Sequence, residues 1–510
     1  MPEPTSPPRG DGTHVPRRRY RAARWLVLLP VLLFAVLLVP EREPVPLALP
    51  AKRPFVWGRD QLWHDLETRF ATRRAAGCAA AQAEVARMLA EGRARLAELA
   101  TRPLAADAPV LAGLEDTVFT LGAEVAACPD HLAAYVTFVG ELRALVKEQS
   151  RHWDLAAGEV RDRMYRLLYG GRAAVEEVLL QAPPGTVPAL VRGEDEPSQT
   201  PAVTFHGVVL HSGDLLLSRG GAPTSALIAR GNDYPGNFSH VALLAVDDSG
   251  HAAIVEAHIE RGVAVATPAE YLRDRKLRIL VLRLRADLPA LRADPLLPHR
   301  AAVRAVAVAR RRHIAYDFAM DYRNHDRLFC SEVAAAAYEE EGITLWAGMS
   351  SISSPGLASW LAGFGVRHLT TEEPSDLEVD PQLRVVAEWR DPDVLFKDHV
   401  DNAVIDILLE QAEAGHRLGW PVALLPVSRL AKAYSVVLNA LGRVGPVPEG
   451  MSAAIALRAR RLAEVHGELA GDVMSRAADF QAARGYRPPY WELVRLAREA
   501  CAARRCAEKL

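Results

Sequence analysis

The spacing of apolar positions changes twice along the chain. From Asp60 to Ala182 it is helical: Leu62, Leu66 and Phe70, then Val85, Met88 and Leu89, then Leu114, Val118, Leu121 and Val125, then Leu132, Val136, Val139 and Leu142. Steps of three and four put such residues on one helix face. The pattern predicts an up-and-down bundle, with one helix ending before Pro129 and the next starting near Asp130, a candidate N-cap. A last helix runs from Trp153 to Leu180. Pro183 to Pro201, rich in Pro, Gly and acids, reads as a linker. Beyond it the period shortens. Val208–His211, Asp214–Ser218, Val241–Val246, Ala253–Ala257, Val263–Ala266 and Leu277–Leu284 are β-branched or leucine-rich runs between Gly, Asp and Asn turns. They predict one mostly antiparallel sheet, with Asp247–Gly250 as a hairpin turn. Pro298–Arg311 and Cys330–Glu341 read as helices, the second capped by Gly342. From Asp391 helical spacing returns, over Val404–Gln411, Val427–Leu441, Ser452–Ala483 and Pro489–Cys506. The fold class is α+β, with all-helical regions on both sides of a small sheet.

Length and charge set further bounds. A chain of 510 residues exceeds one core and implies two or three domains. A net charge of −2 gives no bulk electrostatic case for nucleic acid. Arginine is frequent, but on the apparent helices it alternates with Asp and Glu, as on a solvated face. The N-terminus differs. Arg17, Arg18, Arg19, Arg21 and Arg24 precede an almost wholly apolar run, Trp25–Val39. Counted from Ala22, this run reaches the lower limit of a spanning helix. No good small-x-small cleavage site follows, which favours an uncleaved signal-anchor over a cleaved signal peptide. The basic flank stays cytoplasmic, so the expected location is the inner membrane, single-pass, with the rest of the chain on the periplasmic side. The expected order is a basic tail (1–24), a transmembrane signal-anchor (25–39), a Pro-rich tether (40–58), a helical bundle (59–182), a linker (183–204), a sheet-containing domain (205–390) and a C-terminal helical region (391–510).

Five cysteines fit an oxidising compartment. Cys78 and Cys128 lie on neighbouring predicted helices and are a candidate disulfide. Cys501 and Cys506 pair only if their helix unwinds near its end. Cys330 is left over, and its context is distinctive. It opens a predicted helix, where the backbone dipole favours a thiolate. His240 stands at the mouth of an apolar strand. Glu256 ends the next strand and lies beside His240 if the two pair, where a carboxylate orients the imidazole. Glu332, in the first turn after Cys330, has to point away from a thiolate. His251, His258, His313 and His325 read as ordinary surface groups. Cys330, His240 and His258 show no zinc-finger spacing, so neither metal nor organic cofactor is expected.

Taken together, Gly213-Asp214-Leu215-Leu216, Ser239-His240-Val241, Val255-Glu256-Ala257, Tyr316-Asp317-Phe318 and Cys330-Ser331-Glu332-Val333 resemble the circularly permuted papain-like hydrolases of the NlpC type, the YiiX-like branch. In that group His precedes Cys, as here. The resemblance covers roughly 205–390. It implies Cys330 as nucleophile, His240 as general base and Glu256 as orienting acid. Tyr316, Ser239 and Asp214 are candidate pocket residues, although Asp214 also suits a role tying down the first strand. The 224–237 loop is expected to shape substrate entry. Ala315 departs from the Pro that family members more often carry. The implied activity is a cysteine hydrolase, amidase- or peptidase-like, acting through an acyl-enzyme on a cell-envelope peptide, N-acyl or lipid substrate. The alternatives are a non-catalytic module binding lipid or cell-wall peptide, a lipid acyltransferase using the same cysteine, and a structural envelope protein whose catalytic domain has lapsed.

Overall fold

The computed structural model describes residues 31–41, 47–183 and 185–510. The basic tail, the first part of the expected anchor (25–30) and residues 42–46 of the tether lie outside the described residues. Among the described residues no helix is long and apolar enough to cross a membrane.

The N-terminal bundle contains helices Asp60–Ala76, Gln82–Thr101, Pro109–Ala127, Leu132–Gln149 and Gly158–Gln181. Their stripes close on one core that includes Leu66, Val85, Leu114, Val118, Tyr135, Leu142 and Val178. Two boundaries differ from expectation. A single turn, Pro129–His131, replaces the Asp130 cap, and the last helix starts at Gly158. Cys78 and Cys128 form a disulfide. Cys501 and Cys506 also pair, where Arg505 takes a left-handed conformation (φ 49°) and breaks the terminal helix. Replacing Cys78 and Cys128 together by serine is expected to lower stability by about 2–4 kcal/mol, read from urea unfolding, because the bridge restrains a long loop of the unfolded chain. Unlinked peptides in a non-reduced digest of the wild type would refute the pairing.

The central sheet runs β1 (Leu190–Arg192), β11 (Leu383–Arg390), β8 (Lys276–Leu284), β4 (Leu215–Gly220), β5 (His240–Val246), β6 (Ala252–His258) and β7 (Gly262–Ala266), in that spatial order. Every pairing is antiparallel. Strands β2 (Ala202–Phe205) and β3 (Val208–His211) make a separate hairpin, and β9 (Ser350–Ser351) pairs with β10 (Thr370–Thr371). Two sheet strands escaped the sequence reading. β1 lies inside the expected linker, and β11 alternates charged with apolar residues, so neither shows a strong apolar run.

Alternation sorts the side chains between the two sheet faces. Leu215, Leu217, Val241, Leu243, Leu280 and Leu282 pack with helix Cys330–Glu339 through Ala334, Ala337 and Tyr338. Leu216, Ala242, Leu244, Ile279 and Val281 pack with the β2–β3 hairpin through Phe205, Val208 and Leu210. Gly213 turns the chain into β4 at φ 101°, and a Cβ there would come within 2.4 Å of Pro298. The Tyr338 hydroxyl donates to the Gly213 carbonyl and ties the cysteine helix to this turn.

The C-terminal region comprises Pro392–Glu413, Leu425–Ala440, Ala453–Arg484 and Tyr490–Arg504. It joins the N-terminal bundle directly: Trp491 stacks on Trp63 with ring centroids 6.0 Å apart. A buried charged seam passes between the parts. Arg172 of the bundle meets Glu378 and Glu388, Arg278 of β8 meets Glu176 and Asp398, and Arg219 of β4 meets Asp398. Arg172 and Glu176, on a helix where alternating charges suggested a solvated face, are buried instead, because three structural parts converge over them.

Candidate active site

His240 is the first residue of β5, and Glu256 sits opposite Ala242 on β6. Two residues along a strand return to the same face, so His240 and Glu256 meet diagonally. His240 Nε2 lies 2.7 Å from Glu256 Oε2. Burial holds the imidazole below its ordinary pKa against the pull of Glu256, so it is neutral at pH 7. Burial alone would raise Glu256, but its contacts with His240 and His258 outweigh that and keep it ionised, well below the usual carboxylate range. In this state Nε2–H donates to the carboxylate and Nδ1 is left as the basic nitrogen.

Cys330 opens helix Cys330–Glu339, as expected. Phe329 N–H donates to Glu332 Oε2 at 2.7 Å, which turns that side chain back over the helix start. Burial pushes the Glu332 carboxyl up to about 9, so it is neutral at pH 7. The thiol is the one free cysteine among the described residues and only 4% exposed. Its Sγ donates to the Ser239 carbonyl at 3.8 Å, and among the described residues no hydrogen bond joins it to His240. Burial pushes the thiol up to about 12, against the helping N–H groups of Val241 and Ser331. This corrects the expectation that the helix start favours a thiolate. The low-dielectric wall around Sγ outweighs the helix dipole, and the site holds a neutral thiol beside a neutral imidazole.

Both groups open on one cleft of about 990 Å³, whose walls include Ser239, His240, Glu256, Tyr316, Phe329 and Cys330. Tyr316 lines the same cleft, and burial raises its phenol. Asp214 does not line this cleft. It is 1% exposed, accepts from His211 N–H at 2.8 Å and takes both Arg283 Nε and Nη2 at 2.8 Å, so it fixes the start of β4. The first half of the expected entry loop is helix, Pro223–Arg230, and presents Thr224, Ser225, Leu227 and Ile228 to the cleft.

Three cleft residues were missed from sequence. His258 is no surface group: it ends β6 with Nε2 3.0 Å from Glu256 Oε1. Its position two beyond Glu256 was the available signal. Glu372 and Glu373 also line the cleft, and burial raises both, Glu372 to about 8. Nothing in their spacing indicates that two adjacent acids are buried. Among the described residues no cluster of His, Cys, Asp and Glu is arranged to hold a metal ion.

A helix-opening thiol shares a cleft with a histidine–carboxylate pair on strands that precede it in sequence, the arrangement expected of a permuted papain-like site. The comparison with protein families agrees. Residues 209–387 match the model of a permuted papain-like amidase enzyme family, YaeF/YiiX, C92. The match contains His240, Glu256 and Cys330 and stops short of both helical regions. It supports a cysteine hydrolase of amidase or peptidase type. No curated protein and no solved structure gives a significant match.

Proposed function

We propose that the protein is a membrane-anchored, extracytoplasmic cysteine hydrolase that cleaves an amide bond in a cell-envelope peptide, N-acyl or lipid substrate. The observation that carries the reading is the 2.7 Å bond between His240 Nε2 and Glu256 Oε2, which leaves Nδ1 basic in the cleft that also holds Cys330. Two disulfides favour an oxidising compartment for the bundle and the C-terminal helices.

Substrate entry breaks the weak Cys330–Ser239 contact and turns Sγ toward the imidazole. As Sγ attacks the carbonyl carbon, His240 Nδ1 takes the thiol proton and Glu256 stabilises the imidazolium. The oxyanion forms in front of the helix N-terminus, where the first N–H groups have no intrahelical partner. Collapse breaks the C–N bond, and His240 returns the proton to the leaving amine. Water, deprotonated by His240, then splits the thioester and releases the carboxylic acid and the thiol.

The test uses the full chain and an amide-like acyl probe carrying a good leaving group. The expected result is a thioester on Cys330, seen as a mass increase on the peptide containing that residue. Reversible binding of the probe with no adduct on Cys330 would overturn catalysis in favour of a binding module. Transfer of the acyl group to an added amine faster than to water would make the protein an acyltransferase.

A further inference from the structure

Helix Leu425–Ala440 is turned inside out. Its buried residues are Leu425, Pro426, Ser428 and Ser435. Its apolar stripe, Val427, Leu430, Tyr434, Val437 and Leu441 just past its end, steps by three and four and faces solvent, each residue 57–69% exposed. Such a stripe normally faces a core. The segment is also cationic. No Asp or Glu occurs between Glu413 and Glu449, while Arg417, Arg429, Lys432 and Arg443 do. Arg429 and Lys432 are turned to backbone carbonyls of the chain itself, so the exposed Arg417 and Arg443 on either side of the helix are the cations left for lipid phosphates. An exposed apolar stripe on an acid-free segment flanked by such cations is the signature of a helix lying in a lipid surface.

Two neighbours indicate what covers it. Residues 31–37 are helical, and Val31, Leu32, Leu33, Phe34, Val36 and Val39 are all more than half exposed. Arg429 binds this segment to the stripe helix by donating to the carbonyls of Val36, Leu37 and Val39 at 3.2, 2.9 and 2.7 Å. The apolar sequence continues N-terminally from Val31 to Ala22, behind the arginine cluster. On the other side the exposed surface runs from Leu441 to Val444, which is 52% exposed and lines the Cys330 cleft together with Met451, Phe364 and Leu361.

We propose that helix Leu425–Ala440 lies in the surface of an anionic phospholipid bilayer, stripe inward, so that the Cys330 cleft opens at the membrane and draws an acyl-bearing, lipid-linked substrate from it. The substrate half rests on the hydrolase reading above; the docking half does not. Val444, Met451, Phe364 and Leu361 give the acyl chain an apolar path from the bilayer to the thiol.

The experiment places a spin label at Leu430→Cys and at Val437→Cys, each in a Cys330→Ala background of the full chain, reconstituted in vesicles of zwitterionic and anionic phospholipid. A label at Glu91→Cys on the bundle surface is the control. Both stripe labels are expected to collide with oxygen more than with a water-soluble nickel chelate, and the control is expected to do the reverse. Greater access of the chelate at Leu430 and Val437 overturns docking. Exclusion of both reagents with dipolar broadening means a second copy covers the stripe; exclusion without broadening means the chain's own N-terminal segment does. Either result also overturns docking. In the wild-type background, Leu430→Glu/Val437→Glu is expected to cut hydrolysis of a bilayer-borne N-acyl amide about tenfold or more, and to leave a short, water-soluble N-acyl amide unaffected. Equal loss on both substrates overturns the substrate half. If the wild type turns over neither substrate, the hydrolase reading fails, and the spin labels still decide docking.

Discussion

Cys330→Ala is expected to abolish both thioester formation and turnover, because the other cysteines are held in disulfides far along the chain. His240→Ala is expected to cost on the order of 10⁴-fold or more in kcat, and Glu256→Gln about 10²–10⁴-fold, since an orienting acid does not itself attack. The losses should not add, because the three groups act as one unit. The pH dependence follows from the site. His240 is held below its ordinary value, so the acid limb of kcat/KM should fall below pH 6.5. Glu256 pulls that value up, so Glu256→Gln should move the limb lower still. The thiol, pushed up to about 12, should alkylate slowly with iodoacetamide at neutral pH and faster at each higher pH. A plateau already reached near neutrality would mean a resting thiolate–imidazolium pair and would sink the neutral-pair assignment.

Arg278→Met is expected to destabilise the fold by about 3–5 kcal/mol, measured by urea unfolding with circular dichroism. Arg278 is 2% exposed, and its partners Glu176 and Asp398 are 1% and 0% exposed. Removing the cation leaves carboxylates in a region with little water to solvate them. Glu176 keeps Arg172 and His399, and Asp398 keeps Arg219, so the loss should stop short of unfolding the chain. Arg278→Met/Glu176→Leu should lose less than the sum of its single variants, since the second change removes a charge that the first left unpaired. Strict additivity would show that the seam is a set of independent pairs. The seam joins β8 to a bundle helix and a C-terminal helix, so loosening it should also reduce kcat without touching the cleft.

Several features were legible in the sequence because local chemistry alone decides them. Runs such as Val241–Val246 and Leu277–Leu284 are strand-forming wherever they sit, and they appear as β5 and β8. Steps of three and four between Leu114 and Leu142 gave the bundle helices, and a Cys followed by helix formers gave the helix start at Cys330. His240 and Glu256 were found as a pair because adjacent antiparallel strands bring such positions together. The arginine-flanked apolar run at the N-terminus is likewise a property of sequence alone.

Tertiary structure decided everything that depends on what covers a residue. Alternating charges look the same on a solvated helix and in the seam of Arg172, Glu176 and Arg278; only the convergence of three parts removes the water. Burial, not the helix dipole, sets the protonation of Cys330, and no local pattern encodes how much protein lies over a sulfur. Asp214 went to Arg283 rather than to the cleft because β8 runs beside β4. The stripe of Val427, Leu430, Tyr434 and Val437 has the spacing of a core-facing helix, and sequence can read only that spacing. That it faces outward was fixed by the smaller Ser428 and Ser435 packing inward, since a helix side is buried only where a neighbouring element stands against it.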